Sequence, residues 1–193
     1  MNVHASIAVT TQRRHRLYMG ALLACLALAG AIKSANAADL MPWSVFVQEG
    51  IGDQKTQATV IGITWNLPWD YEFRFGTLRA YTEAAVGRWH TAGRNGTTSW
   101  PTQISVVPNL RFYPSHSSNW FAEIGVGPSY IVPLFRTSHR RFSSEFNFDD
   151  HIAVGRDFGS SEVSVRAEHF SNAGISHPNP GENFVQVRYA YRF

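Results

Sequence analysis

The sequence predicts an all-β fold, an eight-stranded antiparallel transmembrane β-barrel, and three observations lead to it. After Ala38 no stretch carries a persuasive apolar period of 3.6 residues. Many segments of about ten residues, by contrast, are rich in Val, Ile, Tyr, Phe, Trp and Thr and alternate with a period of two. The last of them alternates without a break: Val185, Val187, Tyr189, Tyr191 and Phe193 are interleaved with Gln186, Arg188, Ala190 and Arg192. Finally, the connections between segments alternate between short and long, as expected of a barrel with tight turns at one end and loops at the other.

The elements follow in order. Of 193 residues, 44% are hydrophobic, 13% aromatic and 16% charged, which suits one domain with a sizeable core and excludes disorder. Arg13, Arg14 and Arg16 precede an apolar run from Leu17 to Ile32 that ends in Ala35-Asn36-Ala37. This is the pattern of a signal peptide over residues 1–37, with cleavage before Ala38. The run is shorter than the ~20 residues that span a bilayer. It also continues past the lone Cys25, which argues against a lipoprotein site there.

Removing the leader changes the charge argument. The full chain carries +3, but residues 38–193 hold 13 Lys and Arg against 14 Asp and Glu, a net −1, and no cysteine. The basic balance therefore belongs to targeting. A nucleic-acid partner loses its support, and disulfides, thiol catalysis and cysteine metal sites are excluded.

Eight strand candidates remain: 43–50, 56–65, 73–86, 103–113, 120–130, 146–158, 162–171 and 184–193. Each is near the ~9 to 11 residues a tilted strand needs to cross a membrane. Lipid tolerates no open sheet edge, so the eight must close on themselves. The terminal aromatic, with further aromatics two and four positions before it, resembles the C-terminal signal of bacterial outer-membrane barrels. The inward set includes Arg166, Glu168, Arg188 and Arg192, expected to pair with one another because an isolated buried charge is costly. With the N-terminus in the periplasm, residues 67–71, 114–119 and 159–160 form short periplasmic turns. Residues 87–100, 131–145 and 172–183 form long external loops.

In the seventh strand Val163, Val165, Ala167, His169 and Ser171 share one parity. His169 and Ser171 therefore face lipid at the external end of an outward-running strand, where polar groups are expensive unless they serve a purpose. Side chains at i and i+2 stand side by side, so an imidazole there can take a serine proton, the arrangement of base and nucleophile. The plainer alternative is that both residues sit at headgroup level with no chemical task.

The segment His169-Phe-Ser-Asn-Ala-Gly-Ile-Ser-His-Pro-Asn-Pro-Gly-Glu182 resembles the lipid A 3-O-deacylase (PagL) family. The resemblance implies a Ser-His-Glu triad: Ser171 as nucleophile, His169 as base and Glu182 as the carboxylate that orients the imidazole. Asn172, Gly174 and Asn179 fall in the region assigned to oxyanion stabilisation. Strand pairing offers a competitor for the acid: a turn centred on residues 159–160 puts Asp150 directly opposite His169. The resemblance further implies hydrolysis of the ester-linked acyl chain at the 3-position of lipid A in outer-leaflet lipopolysaccharide, without a cofactor.

Outer-membrane lipids are the surroundings, and monomer and homodimer both stay open. A metal site of His177 with His169 and Glu182 lacks suitable ligand spacing. The external stretch Arg136–Arg141 offers charge to lipid A phosphates or is simply a solvated loop. From another functional class, a non-enzymatic small barrel serving adhesion or membrane integrity accounts for the same strands. A calcium-dependent phospholipase fits less well, since no dedicated acidic loop is present.

Overall fold

A computed structural model describes residues 41–92 and 97–193, so the signal peptide lies outside the described residues. The strands are β1 (Ser44–Gly52), β2 (Gln57–Phe73), β3 (Gly76–Ala92), β4 (Thr98–Ser99), β5 (Thr102–Tyr113), β6 (Trp120–Val132), β7 (Phe146–Asp157), β8 (Ser161–Ser171) and β9 (Glu182–Arg192). All but β4 build one antiparallel barrel in the order β2-β1-β9-β8-β7-β6-β5-β3, closed by pairing of β2 with β3. Closure leaves no edge whose N–H and C=O groups would face lipid. The two residues of β4 pair only with Thr91 and Ala92.

Alternation explains how one sequence serves two solvents. Val45, Val47, Ile61, Val86, Ile104, Ile124, Ile152, Val163, Val165, Val185 and Val187 stand exposed on the outer wall, a surface that suits lipid and not water. Their neighbours face inward and form a buried ionic lattice. Arg166 pairs with Glu83 at 2.8 Å and Glu123 at 3.0 Å, Arg188 with Glu83 at 2.6 Å, and Arg111 with Glu123 and Glu162, both at 2.7 Å. Arg166, Glu168 and Arg188 thus lie in the interior, whereas Arg192 is only partly buried and pairs with Asp157. Toward the end where β8 stops and β9 starts, Trp89, Phe170 and Phe184 meet Phe135 and Phe142 of the 133–145 loop. This aromatic plug packs the loop into the barrel mouth.

One turn differs from expectation. Residues 67–71 are not a connection: β2 continues to Phe73, and the turn is Arg74-Phe75. Pro68 has no N–H for a ladder, yet the strand absorbs it through a register shift between Asn66 and Asp70. Likewise β3 starts at Gly76 and runs past Val86 to Ala92, so the loop after it is shorter than the sequence suggested.

Candidate active site

β8 alternates faithfully to its end. Glu162, Ser164, Arg166, Glu168 and Phe170 are buried, while Val163, Val165 and Ala167 are exposed and His169 and Ser171 half-buried on the same outward side. His169 and Ser171 therefore stand on the outer wall at the loop-rich rim. Across β7 the register places Asp150 opposite His169 and Phe148 opposite Ser171. Across β9 it places Asn183 opposite His169.

That last pairing decides what touches the imidazole. Asn183 Oδ1 lies 2.7 Å from His169 Nδ1, and Asn183 Nδ2 donates to Asp53 Oδ2 at 3.0 Å. Glu182 is one residue out of phase. It belongs to the inward set of β9 with Phe184, Gln186 and Arg188, is fully buried, and accepts from Arg140 Nη1 at 3.2 Å. The structure thus does not bring Glu182 to His169, contrary to the expectation of a Glu182 carboxylate on the ring. The physical reason is the period of two, which sends neighbouring side chains to opposite faces. Asp150 sits on the other flank of His169 and makes no hydrogen bond to it among the described residues.

Arg140 ties the rim together. Its Nη1 reaches Asp53 Oδ2 at 2.6 Å, Glu182 Oε2 at 3.2 Å and the Gly181 carbonyl at 3.2 Å. Three segments meet on one guanidinium: the β1–β2 turn, the 133–145 loop and the start of β9. The Arg140 hydrogen bond holds the Asp53 carboxyl below its ordinary range, so it stays ionised. Arg140, one of the external arginines considered for lipid phosphates, is therefore committed to the fold.

Gly181 has φ +66°, and a Cβ there would lie 2.5 Å from His169 Cε1, so its bare backbone is what the imidazole rests against. Beyond Ser171 the chain turns through Ala173 and Gly174 at positive φ, 52° and 79°. Asn172 is buried and organises this turn. Its Nδ2 donates to Ser143 Oγ, Ser144 Oγ and the Ser176 carbonyl, all at 3.0 Å, and its Oδ1 accepts from the Gly174 N–H at 3.0 Å. The Asn172 N–H donates to Asn179 Oδ1 at 3.1 Å, so the Nδ2 end of Asn179 is the one left to serve a ligand. His177 is exposed in the same loop.

Beside His169 the outer wall carries an open groove of about 360 Å³, lined by Ile51, Asp53, Ala167, His169, Asn183 and Val185 among others. Its apolar flank and polar corner suit an acyl chain with an ester at one end. A separate group unnoticed in the sequence, Asp149, His151 and Glu168, lies inside the barrel with ligand atoms within 4.8 Å of one another. These residues have the chemistry to hold a divalent cation, but their side chains belong to the inward set of β7 and β8, on the opposite face from His169 and Ser171. The signals for Asn183, Asp53 and Arg140 were weak in the sequence, since Asp53 and Arg140 come from segments remote from the motif.

The comparisons with known proteins agree with this fold. The profile of the lipid A 3-O-deacylase (PagL) family matches residues 52–192. A lipid A deacylase PagL of Bordetella bronchiseptica is 33% identical over 153 residues, 77% of this chain and 83% of that protein. One from Pseudomonas aeruginosa is 29% identical over 161 residues, 81% of this chain and 90% of that protein. The crystal structure of the outer membrane enzyme PagL superposes with a TM-score of 0.69 at 25% identity, covering 78% of this chain and 99% of that one. With a family profile that spans most of the chain, and with the barrel in place, this protein belongs to the lipid A 3-O-deacylase (PagL) family.

Proposed function

We propose that this outer-membrane barrel hydrolyses the ester-linked acyl chain at the 3-position of lipid A, with Ser171 as nucleophile and His169 as general base. The observation that carries the reading is the pair itself. Two polar side chains share the lipid-facing side of β8 at its external end, and the ring's Nδ1 already has a partner. Asn183 Oδ1 can only accept, so the bond requires the proton on Nδ1 and leaves the Nε2 lone pair for the serine.

Chemistry follows in two halves. Ser171 Oγ attacks the ester carbonyl as its proton passes to His169 Nε2. The tetrahedral intermediate then expels the sugar 3-hydroxyl, which takes the proton from the imidazolium. Water, deprotonated by the same ring, attacks the acyl-serine, releases the fatty acid and restores the hydroxyl. The Asn179 amide nitrogen and the backbone N–H of Ala173 are the donors nearest in sequence and fold to support the oxyanion, since the Asn172 and Gly174 N–H groups are already given to Asn179 Oδ1 and Asn172 Oδ1.

The test is the mass of lipid A from a Gram-negative host with and without the protein. Loss of one ester-linked acyl chain from the 3-position is expected. An unchanged mass with a folded barrel, or loss of an amide-linked chain, overturns the reading. A second expectation concerns the support of the ring. Gly181→Ala drives a methyl into His169 Cε1 at a positive φ, and displacement of the base by about 1 Å should cost about 10²-fold in turnover. Assembly should persist, because Gly181 lies outside the strands. Quantifying deacylated lipid A in membranes against heat-modifiable gel mobility checks both.

A further inference from the structure

The site just described leaves one role open: what aligns His169. A buried carboxylate usually does this work, yet neither carboxylate indicated by the sequence hydrogen-bonds the ring among the described residues. Glu182 points into the barrel toward Arg140, and Asp150, although directly opposite His169 across β7 and β8, makes no hydrogen bond to the ring among the described residues. The group at hydrogen-bond distance is an amide.

We propose that Asn183 is the positioning residue of the catalytic pair and that Asp53, from the turn between β1 and β2, dictates its orientation. The inference rests on the reading of Ser171 and His169 given above. Three bonds carry it in series. Arg140 Nη1 donates to Asp53 Oδ2 at 2.6 Å, Asn183 Nδ2 donates to the same oxygen at 3.0 Å, and His169 Nδ1–H donates to Asn183 Oδ1 at 2.7 Å.

Direction along this chain is not free. An ionised carboxylate only accepts, so Asp53 must face the NH₂ end of Asn183. The carbonyl end is then turned to His169, and a carbonyl also only accepts, which fixes the proton on Nδ1 and the lone pair on Nε2. Reversal of the amide would present NH₂ to the ring, select the opposite tautomer and remove the base. A carboxylate thus sets the imidazole tautomer through an intervening amide instead of by contact. The cross-strand register supports the arrangement. Asn183 faces His169 directly across β8 and β9, where opposed Cβ atoms stand about 4.5 to 5.5 Å apart, within span of so short a side chain.

Glu182 finds its place in the same scheme. It and the Gly181 carbonyl hold the far side of Arg140, so it supports the guanidinium that supports Asp53. Its influence on the ring is relayed through Arg140, Asp53 and Asn183.

A swap tests the direction of the chain. Asn183→Ala should lower kcat by about 10²-fold with little change in KM, since base catalysis is typically worth 10² to 10⁴ and alignment is a share of it. Asn183→Asp alone sets two carboxylates at hydrogen-bond distance with no proton between them and should also be impaired. The double change Asp53→Asn with Asn183→Asp restores a complementary pair: the carboxylate now at position 183 accepts from both the ring and the amide now at position 53. It should therefore recover activity to within about tenfold of the wild type. A role in packing alone gives no such recovery.

All variants are measured on purified, refolded full-length barrel with lipid A in mixed micelles, with heat-modifiable mobility as the folding control. Wild-type turnover in Asn183→Ala, or a swap no better than Asn183→Asp, overturns the proposal while Ser171→Ala remains inactive. If Ser171→Ala itself retains activity, the underlying reading falls and the proposal with it.

Discussion

Ser171→Ala and His169→Asn should each abolish release of the 3-linked acyl chain while the barrel still assembles. Both side chains are half-buried on the outer wall and fill no interior volume, so neither change opens a cavity or strands a buried charge. Residues that act as one unit lose nearly all their contribution when either is removed, and in serine hydrolases that loss reaches about 10⁶ in kcat. Lipid A mass spectrometry combined with heat-modifiable mobility reads both quantities on the same sample. A folded Ser171→Ala barrel with near-normal activity removes the nucleophile and favours a passive barrel. Loss through Ser171 with His169→Asn unaffected breaks the pair.

The second large effect is on stability and comes from the lumen. Glu83→Ala should lower the unfolding free energy by about 3 to 5 kcal/mol, the usual cost of stranding a buried charge. Glu83 holds two arginines: Arg166 retains Glu123 when it is gone, but Arg188 has no other carboxylate within ion-pair distance among the described residues. Arg188 then keeps the Phe46 ring, 3.5 Å from its Cζ, and the longer-range attraction of Glu168, which together offer a fraction of what the direct ion pair supplied. Replacing the pair together, Glu83→Leu with Arg188→Met, should recover much of the loss because no charge remains unpaired. Urea unfolding of the barrel in lipid vesicles, followed by tryptophan fluorescence, measures each. A Glu83→Ala midpoint equal to the wild type excludes this lattice as a source of stability.

The strands were legible because each strand's two faces meet different solvents. Alternation in residues such as Val163 to Ser171 marks both strand and facing, and most of the barrel strands begin and end within a few residues of where the pattern placed them. The extension of β2 was hidden because Leu67-Pro68-Trp69 reads as a turn, and only pairing with β3 shows that the strand bulges and goes on.

At the site, the segment from His169 to Glu182 gave the neighbourhood, but adjacency in sequence favoured the acid that was present. The corrective signal was also there. Extending the alternation of Val185, Val187 and Tyr189 back by one step puts Asn183 outside and Glu182 inside. Asp53 and Arg140 carried no such mark. They reach the rim through closure of β1 on β9 and through folding of the 133–145 loop into the mouth, which are long-range consequences that no local pattern records.

The filled interior has a kinetic corollary. With the lumen occupied by ion pairs and the mouth packed by Trp89 and its aromatic neighbours, the pair proposed to react, Ser171 and His169, stands on the outer wall and opens to the leaflet. A substrate of this wall arrives sideways, by two-dimensional diffusion in the leaflet, and its availability is a mole fraction of the surrounding lipid instead of a bulk molarity. Dilution by neighbouring lipids then competes with turnover as an inhibitor would, and leaflet composition becomes a control on the rate without any change in the protein.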